Sequence, residues 1–239
     1  MSTRIYVGTS GWSYDHWKGI FYESSCPKSK WLQFYAKHFL SVEVNATFYR
    51  SMSPLTFENW EKNTPEGFIW AVKSNRYITH IKRLNDVTGP LKRFFSDLKG
   101  LKEKLGPILF QLPPTLIFNE EVFKAFSRCL PKNRRYTIEA RHPSWMEEKA
   151  LSNLESHQLA WCISDTAGRY PYLEAVTTNF IYIRLHGSTQ LYASDYSEEE
   201  LNKWAEKINR WNKDTYVYFD NDAMGYAPQN ALRLKELLA

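Results

Sequence analysis

Hydrophobic and polar positions along this chain change period in a regular rhythm. Short runs rich in Val, Ile, Tyr and Phe, the composition of strands, occupy 4–10, 41–49, 68–74, 107–112, 136–141, 160–165, 180–187 and 215–221. Between most of them the apolar positions fall at helical spacing. Residues 28–39 carry Trp31, Phe34, Tyr35 and Phe39 in that pattern, and 91–105, 120–130 and 147–157 are amphipathic. Ser53 before Pro54 predicts a helix cap followed by a first-turn proline. Ser197 and Glu200 have the spacing of a capping box, and a last helix is expected over 230–238. Residues 166–179, with Gly168 and Pro171, carry little helical pattern and predict a loop or a short, distorted helix.

Strands that alternate with helices imply a parallel sheet. Eight strand runs in 239 residues match a TIM (β/α)8 barrel, which takes about 200–250 residues as one domain. The expectation is therefore an α/β protein with one barrel domain over residues 1–239 and an irregular unit after the sixth strand. A doubly wound open sheet is the alternative. It calls for a GxGxxG turn after the first strand, where this chain has GTSGWS, with the wrong glycine spacing.

Strand side chains alternate faces, and in a barrel one face packs under the helices while the other points to the axis. In FIYIRLHG, Ile181, Ile183 and Leu185 form the outer set, so Tyr182, Arg184 and His186 point inward. The same alternation sends Glu43 and Asn45, Lys73, Gln111, Glu139 and Arg141, and Asp220 to the interior. Asp165 is grouped with them at the end of its strand, although it shares a face with Trp161 and Ile163. Structural barrels fill this space with branched aliphatics. Buried ions cost several kcal/mol each unless paired, so these charges are expected as a mutual network, open at the top to a ligand. A network that merely closes the barrel is the plainer reading; the bunching of charge at C-terminal strand ends, where barrel enzymes hold their sites, speaks for function.

Composition narrows the classes. Hydrophobic residues make up 43% and charged residues 24%, an ordinary globular balance. The net charge of +5 falls short of the bias of a dedicated nucleic-acid binder and suits an anionic ligand without requiring one. Cys26, Cys129 and Cys162 are far apart, without CxxC spacing, which points to neither a zinc site nor a disulfide framework. No secretory leader pattern opens the sequence and no apolar run approaches the ~20 residues that span a bilayer. A cytoplasmic protein with no membrane association is expected.

The segments GTSGWSYDHWKGIFYE, VEVNATFYR, LGPILFQLPP, IEARHPSW, YIRLHG and YFDNDAMGYAPQNALRLKELL resemble the domain of unknown function 72 family, the YecE-like proteins. The resemblance runs from the first strand to the last helix and implies a TIM barrel. It leaves the reaction open. Family-like motifs fall at strand ends, on Asn45, Gln111, Glu139, Arg141, His142, Asp165, Arg184, His186, Asp220 and Asn221.

The chemistry these residues support best is an enzyme of unassigned reaction that takes a small anionic ligand, phosphorylated or nucleic-acid-like. Lys73, Arg141 and Arg184 supply cations, and arginine suits bidentate phosphate or carboxylate binding. Glu139 or Asp165 is the expected general base, His186 its acid–base partner, and Lys73 completes the catalytic set. Glu43, Asn45, Gln111, Arg141, His142, Arg184, Asp220 and Asn221 are expected to bind the ligand, with Trp12 and Tyr14 stacking on it; Trp17, Trp145 and Tyr192 are further mouth aromatics. No cofactor is predicted. A divalent-metal hydrolase, nuclease or isomerase, with Glu43, Glu139, Asp165 and His186 as ligands, is one alternative. Glycoside hydrolysis by Glu139 and Asp165 and a non-enzymatic RNA- or protein-binding module are others. His38, His80 and His157 are expected to be structural, whereas His16 and His142 lie in loops that can reach the mouth.

Overall fold

The computed structural model describes residues 3–239; Met1 and Ser2, part of the expected domain, lie outside the described residues. Eight strands form one parallel sheet: β1 (Ile5–Thr9), β2 (Ser41–Val44), β3 (Ile69–Lys73), β4 (Leu105–Gln111), β5 (Tyr136–Glu139), β6 (Leu159–Asp165), β7 (Phe180–Leu185) and β8 (Asp214–Phe219). Each pairs with its sequence neighbour, and β1 pairs with β8, so the sheet curls into a barrel. The helices are α1 (Trp31–His38), α2 (Ala46–Tyr49), α3 (Pro54–Lys62), α4 (Thr88–Asp97), α5 (Glu120–Arg128), α6 (Glu148–Ser156), α7 (Glu198–Trp211) and α8 (Tyr226–Leu237).

The seam between β1 and β2 closes by side-chain means. Its ladder is a single bridge, Ser10 to Glu43, with Gly11 N donating to Glu43 O at 2.8 Å. Below it the buried Tyr35 hydroxyl accepts from Thr9 N at 3.0 Å and donates to Ser41 O at 3.1 Å. The phenol thus replaces a missing ladder bond. Gly8 allows that approach, since a Cβ there would lie 2.2 Å from Ser41 O.

Strand alternation divides the buried apolar residues into two sets. Val42, Val44, Val72, Ile108, Phe110, Ile138, Ile163, Ile181, Ile183 and Val217 belong to the core between sheet and helices. Ala71, Leu109, Ala160, Cys162, Phe180, Tyr182, Tyr216 and Tyr218 form a second cluster on the axis. The lower interior is therefore packed with aromatics and small residues, and the charges lie above it toward the C-terminal strand ends.

Four segments differ from the sequence expectation. The run 41–49 leaves the sheet at Val44, and Ala46–Tyr49 forms one helical turn. Its β-favouring side chains lose to local hydrogen bonds: Thr47 Oγ1 donates to Val44 O at 3.2 Å and to Lys73 O at 2.6 Å. α4 and α8 each begin a turn or so earlier than their apolar pattern, at Thr88 and Tyr226. Each carries a proline, Pro90 or Pro228, at its third position, where the missing N–H costs no intrahelical bond. Residues Tyr77–Ile81 form a π-helical turn after β3 that no pattern announces. The caps and the irregular unit agree with expectation. Ser53 Oγ accepts from Thr56 N, Ser197 and Glu200 form both bonds of a capping box, and no helix lies between β6 and β7. Among the described residues no helix is long and apolar enough to cross a membrane.

Candidate active site at the barrel mouth

Arg184, near the end of β7, is the hub of the mouth. Its guanidinium is 1% exposed and meets three carboxylates. Nε and Nη2 grip Glu43 at 3.0 and 2.8 Å, Nη1 donates to Glu139 Oε2 at 2.7 Å, and Nη2 also reaches Asp220 Oδ2 at 3.1 Å. Glu43, wholly buried at the end of β2, takes two further donors: Ser10 Oγ and Tyr182 Oη, each at 2.7 Å. Glu139 Oε1 accepts from Gln111 Nε2 at 3.1 Å and from Arg141 Nη2 at 3.2 Å. Burial by itself raises the Glu139 carboxyl, but the Arg184, Arg141, His186 and Lys73 charges overrule it and hold it far below the ordinary carboxylate range. Burial likewise opposes ionisation of Asp220, and its contacts with His186 and Arg184 win, so its pKa is lowered. A carboxylate buried with this many donors stays ionised.

His186 sits two residues on, with no exposed surface. Its Nε2 lies 3.2 Å from Arg184 Nη1 and its Nδ1 2.9 Å from Asp220 Oδ2. A guanidinium can only donate, so Nε2 is the acceptor and the ring hydrogen faces Asp220, in an oblique approach. Tyr192 covers this group. Its amide donates to His186 O at 2.5 Å, its ring meets the imidazole edge-on at 5.4 Å, and it holds φ at +63°. Gly187 begins the covering loop at φ +116°, a conformation that favours glycine.

Lys73 closes β3 on the opposite side of the mouth. It is 8% exposed, yet among the described residues its ammonium enters none of the ion pairs that bind Arg184 and Arg141. Its one close companion is the Phe48 ring, whose centroid is 4.4 Å from Nζ. Such a cation–π contact recovers about 1–2 kcal/mol, less than a buried charge costs. Burial and the nearby Arg184 cation accordingly lower its pKa from 10.5 to about 8. The α2 turn puts Phe48 there, tied down by Thr47 Oγ1 on Lys73 O and by Asn75 Nδ2, which donates to Thr47 O at 3.2 Å. His80, on the π-helical turn, packs edge-on against the same Phe48 ring at 5.0 Å. Burial, then Lys73 and Arg141, lower its pKa to about 4.

Of the expected site residues, Glu43, Lys73, Gln111, Glu139, Arg141, Arg184, His186 and Asp220 do converge. Arg141 pairs with Glu139 while its guanidinium carbon stacks 4.3 Å from the Tyr170 ring centre. Asp165 does not join them. It keeps the outer parity of Trp161 and Ile163, accepting from Tyr196 Oη at 2.9 Å and from Ala167 N. The inward residue at that level is Ser164, whose buried hydroxyl has no partner. His142 caps the short helix Pro143–Trp145 through its Nδ1. Asn221 is wholly buried and donates to Ser194 O and Asn230 Oδ1, behind the covering loop. Trp12 packs edge-on against Trp60 and Trp70, and Tyr14 spends its hydroxyl on Ser10 O at 2.6 Å. Asn45 caps α2, and its buried Oδ1 has no partner.

These placements revise the chemistry. Glu139 is held by the Arg184, Arg141 and Gln111 donors, which favour its anion, and Asp165 faces away from it. The pair that glycoside hydrolysis needs is therefore not assembled. The four-ligand metal set also does not form: the oxygens of Glu43 and Glu139 point at arginine, tyrosine, serine and glutamine donors, and among the described residues no group of three His, Cys, Asp or Glu side chains is arranged to hold a metal ion. Sequence reading missed Ser10, Phe48, Ser164 and His80. Continuing the two-residue alternation through β1 and β6 places Ser10 and Ser164 inward. Phe48 and His80 had no such signal, because each reaches the mouth through an irregular turn. Beside the mouth, a cavity of about 520 Å³ lies between α3 and α4, lined by Met52, Phe57, Ile78, Phe94 and Leu98 with Arg50 and Arg93. It shares Thr47 and Asn75 with the support of Lys73.

A family model described as "Protein of unknown function DUF72" matches residues 6–239. The UPF0759 protein YunF of Bacillus subtilis is 28% identical, over 98% of this chain and 94% of its own length. The UPF0759 protein YecE of Escherichia coli K12 is 26% identical, over 94% of this chain and 89% of its own. Among solved structures, a DUF72 family protein from Thermotoga maritima superposes with a TM-score of 0.88 at 31% identity, covering 98% of this chain and 99% of that one.

Proposed function

The chain belongs to the DUF72 family, and from that premise we propose that its barrel mouth is an enzyme active site for a small anionic ligand, phosphorylated or carboxylated. One observation carries the reading: Lys73, 8% exposed on one flank of the mouth, has no ion-pair partner among the described residues. The other cations have theirs. Arg184 is saturated by three carboxylates, and Arg141 shares Glu139. An unpaired buried ammonium is costly, and a bound anion removes that cost. Arg141, half committed, offers a second donor face to the same ligand. Asp220 is the most open of the three carboxylates, at 20% side-chain exposure. Tyr192 and the small exposure of Lys73 favour a compact ligand over a nucleic-acid strand.

The test is calorimetric titration of the purified protein with inorganic phosphate, a triose phosphate and the matching neutral triol. Binding of the phosphorylated compounds alone is expected, with a loss of at least about tenfold in Lys73→Met, the worth of one charge-assisted contact. Equal affinity for the neutral analogue, or unchanged affinity in the variant, removes the reading.

A further inference from the structure

We infer that Lys73 is a nucleophile, and that the ligand of the mouth carries a carbonyl carbon, in a 2-oxo acid or a phosphorylated aldehyde or ketone, with which its amine forms an imine. The inference rests on the anion-site reading above and names the substrate class within it.

The geometry comes first. Among the described residues, Lys73 is more than nine-tenths buried as a residue and its ammonium takes part in no ion pair. A lysine kept for structure ends on a carboxylate; Lys104 here, for comparison, donates to Glu61 O and Thr64 O and lies 3.9 Å from Glu61 Oε1. Lys73 instead ends over an aromatic face at 4.4 Å, at the C-terminal end of a barrel strand, where barrel active sites sit. The carboxylates on the neighbouring strands have been drawn off. Glu43 and Glu139 are fixed on Arg184, and Asp220 lies between Arg184 and His186. The charged groups that act on the amine are thus Arg184 on β7, Glu139 on β5, Glu43 on β2 and Asp220 just past β8, with His80 of the π-helical turn on the same Phe48 ring. Burial and Arg184 outweigh the anions and lower the amine's pKa to about 8. At neutral pH it therefore has about two orders of magnitude more free base than an exposed lysine. Desolvation beside another cation is a recognised way to make lysine nucleophilic.

The step balances without a further reactant. The ammonium gives its proton to solvent. The free amine attacks the carbonyl carbon, forming the C–N bond of a carbinolamine. The two protons of the attacking nitrogen pass to the carbonyl oxygen through solvent, the C–O bond breaks as that oxygen leaves as water, and the nitrogen lone pair forms the C=N bond. The ligand's carboxylate or phosphate is left to Arg141, whose guanidinium lies flat on Tyr170.

The experiment is reductive trapping. The protein is incubated with pyruvate, or with dihydroxyacetone phosphate, in the presence of sodium cyanoborohydride, which delivers hydride to an imine carbon and leaves a stable secondary amine. Peptide mapping by mass spectrometry reads the modified lysine. The expected result is one adduct, on Lys73, at least about tenfold above that on any exposed lysine. It is suppressed by excess inorganic phosphate, its rate rises with a midpoint near the pKa of about 8, and it is absent in Lys73→Arg. Adducts spread over exposed lysines, or none on Lys73 with either compound, overturn the inference. If phosphate still binds in a Lys73-dependent way while no adduct forms, the anion site stands and the imine alone is lost. If phosphate does not bind but Lys73 is trapped, the anion reading falls and the nucleophile stands.

Discussion

The two flanks of the barrel mouth solve the same physical problem in opposite ways. On the β7 flank, Arg184 is fully buried and fully answered: its donors meet Glu43, Glu139 and Asp220, and those carboxylates are answered in turn by Ser10, Tyr182, Gln111 and Arg141. On the β3 flank, Lys73 is nearly as buried and, among the described residues, has the face of Phe48 in place of an ion-pair partner. Both cations bear the cost of desolvation. The first recovers it from fixed charges supplied by three strands, so its place is a matter of folding. The second recovers little, so its place calls for something the fold itself does not supply. Burial of charge alone does not separate structure from function; the completeness of its partners does.

The sharpest way to break this contrast is Arg184→Met. It leaves three carboxylates without their common cation, and removing one partner of a buried pair costs about 3–5 kcal/mol. With roughly 2–4 °C per kcal/mol for a chain of this size, the melting temperature is expected to fall by about 10 °C, read by calorimetry or circular dichroism. A fall of a degree or two means that the network is not what holds this end of the barrel together.

Lys73→Met is expected to move stability the other way. A lysine whose pKa drops from 10.5 to about 8 on folding is protonated in the unfolded chain and neutral in the folded one between those values. Stability therefore rises with pH through that window, and below it the folded protein bears the whole penalty. Replacing the ammonium by a thioether of similar length should stabilise the protein at pH 7 by roughly 1–3 kcal/mol, with the gain fading as pH rises from about 8 to 10.5. Denaturant melts of both proteins from pH 7 to 11 test it. A variant that is stabler yet has lost its ligand is the mark of a functional residue. A less stable variant at pH 7 places Lys73 with Arg184 as structure.

The smallest effect belongs to His142→Ala. Its imidazole serves a three-residue helix and not the mouth. The loss should be at most about 1 kcal/mol, the worth of a cap, with phosphate titration unchanged. A change in affinity returns His142 to the site.

Sequence by itself determined the barrel and most of its charged interior. Strand side chains alternate with a period of two, so the parity of Ile181, Ile183 and Leu185 against Arg184 and His186 follows from residue order, wherever one face is covered by apolar helices. The repeating strand–helix rhythm then brings eight such stripes to one axis. Tertiary structure alone decided who pairs with whom. Nothing in the order of residues says that Arg184 takes three carboxylates and Lys73 none, because that depends on distances between strands far apart in the chain. Nor did pattern place Asp165, whose strand leaves it on the outer face against Tyr196, or Phe48 and His80, which arrive on a single helical turn and a π-helical turn. Periodicity is a local property and charge compensation is not, and for that reason the location of the site was legible before its division of labour.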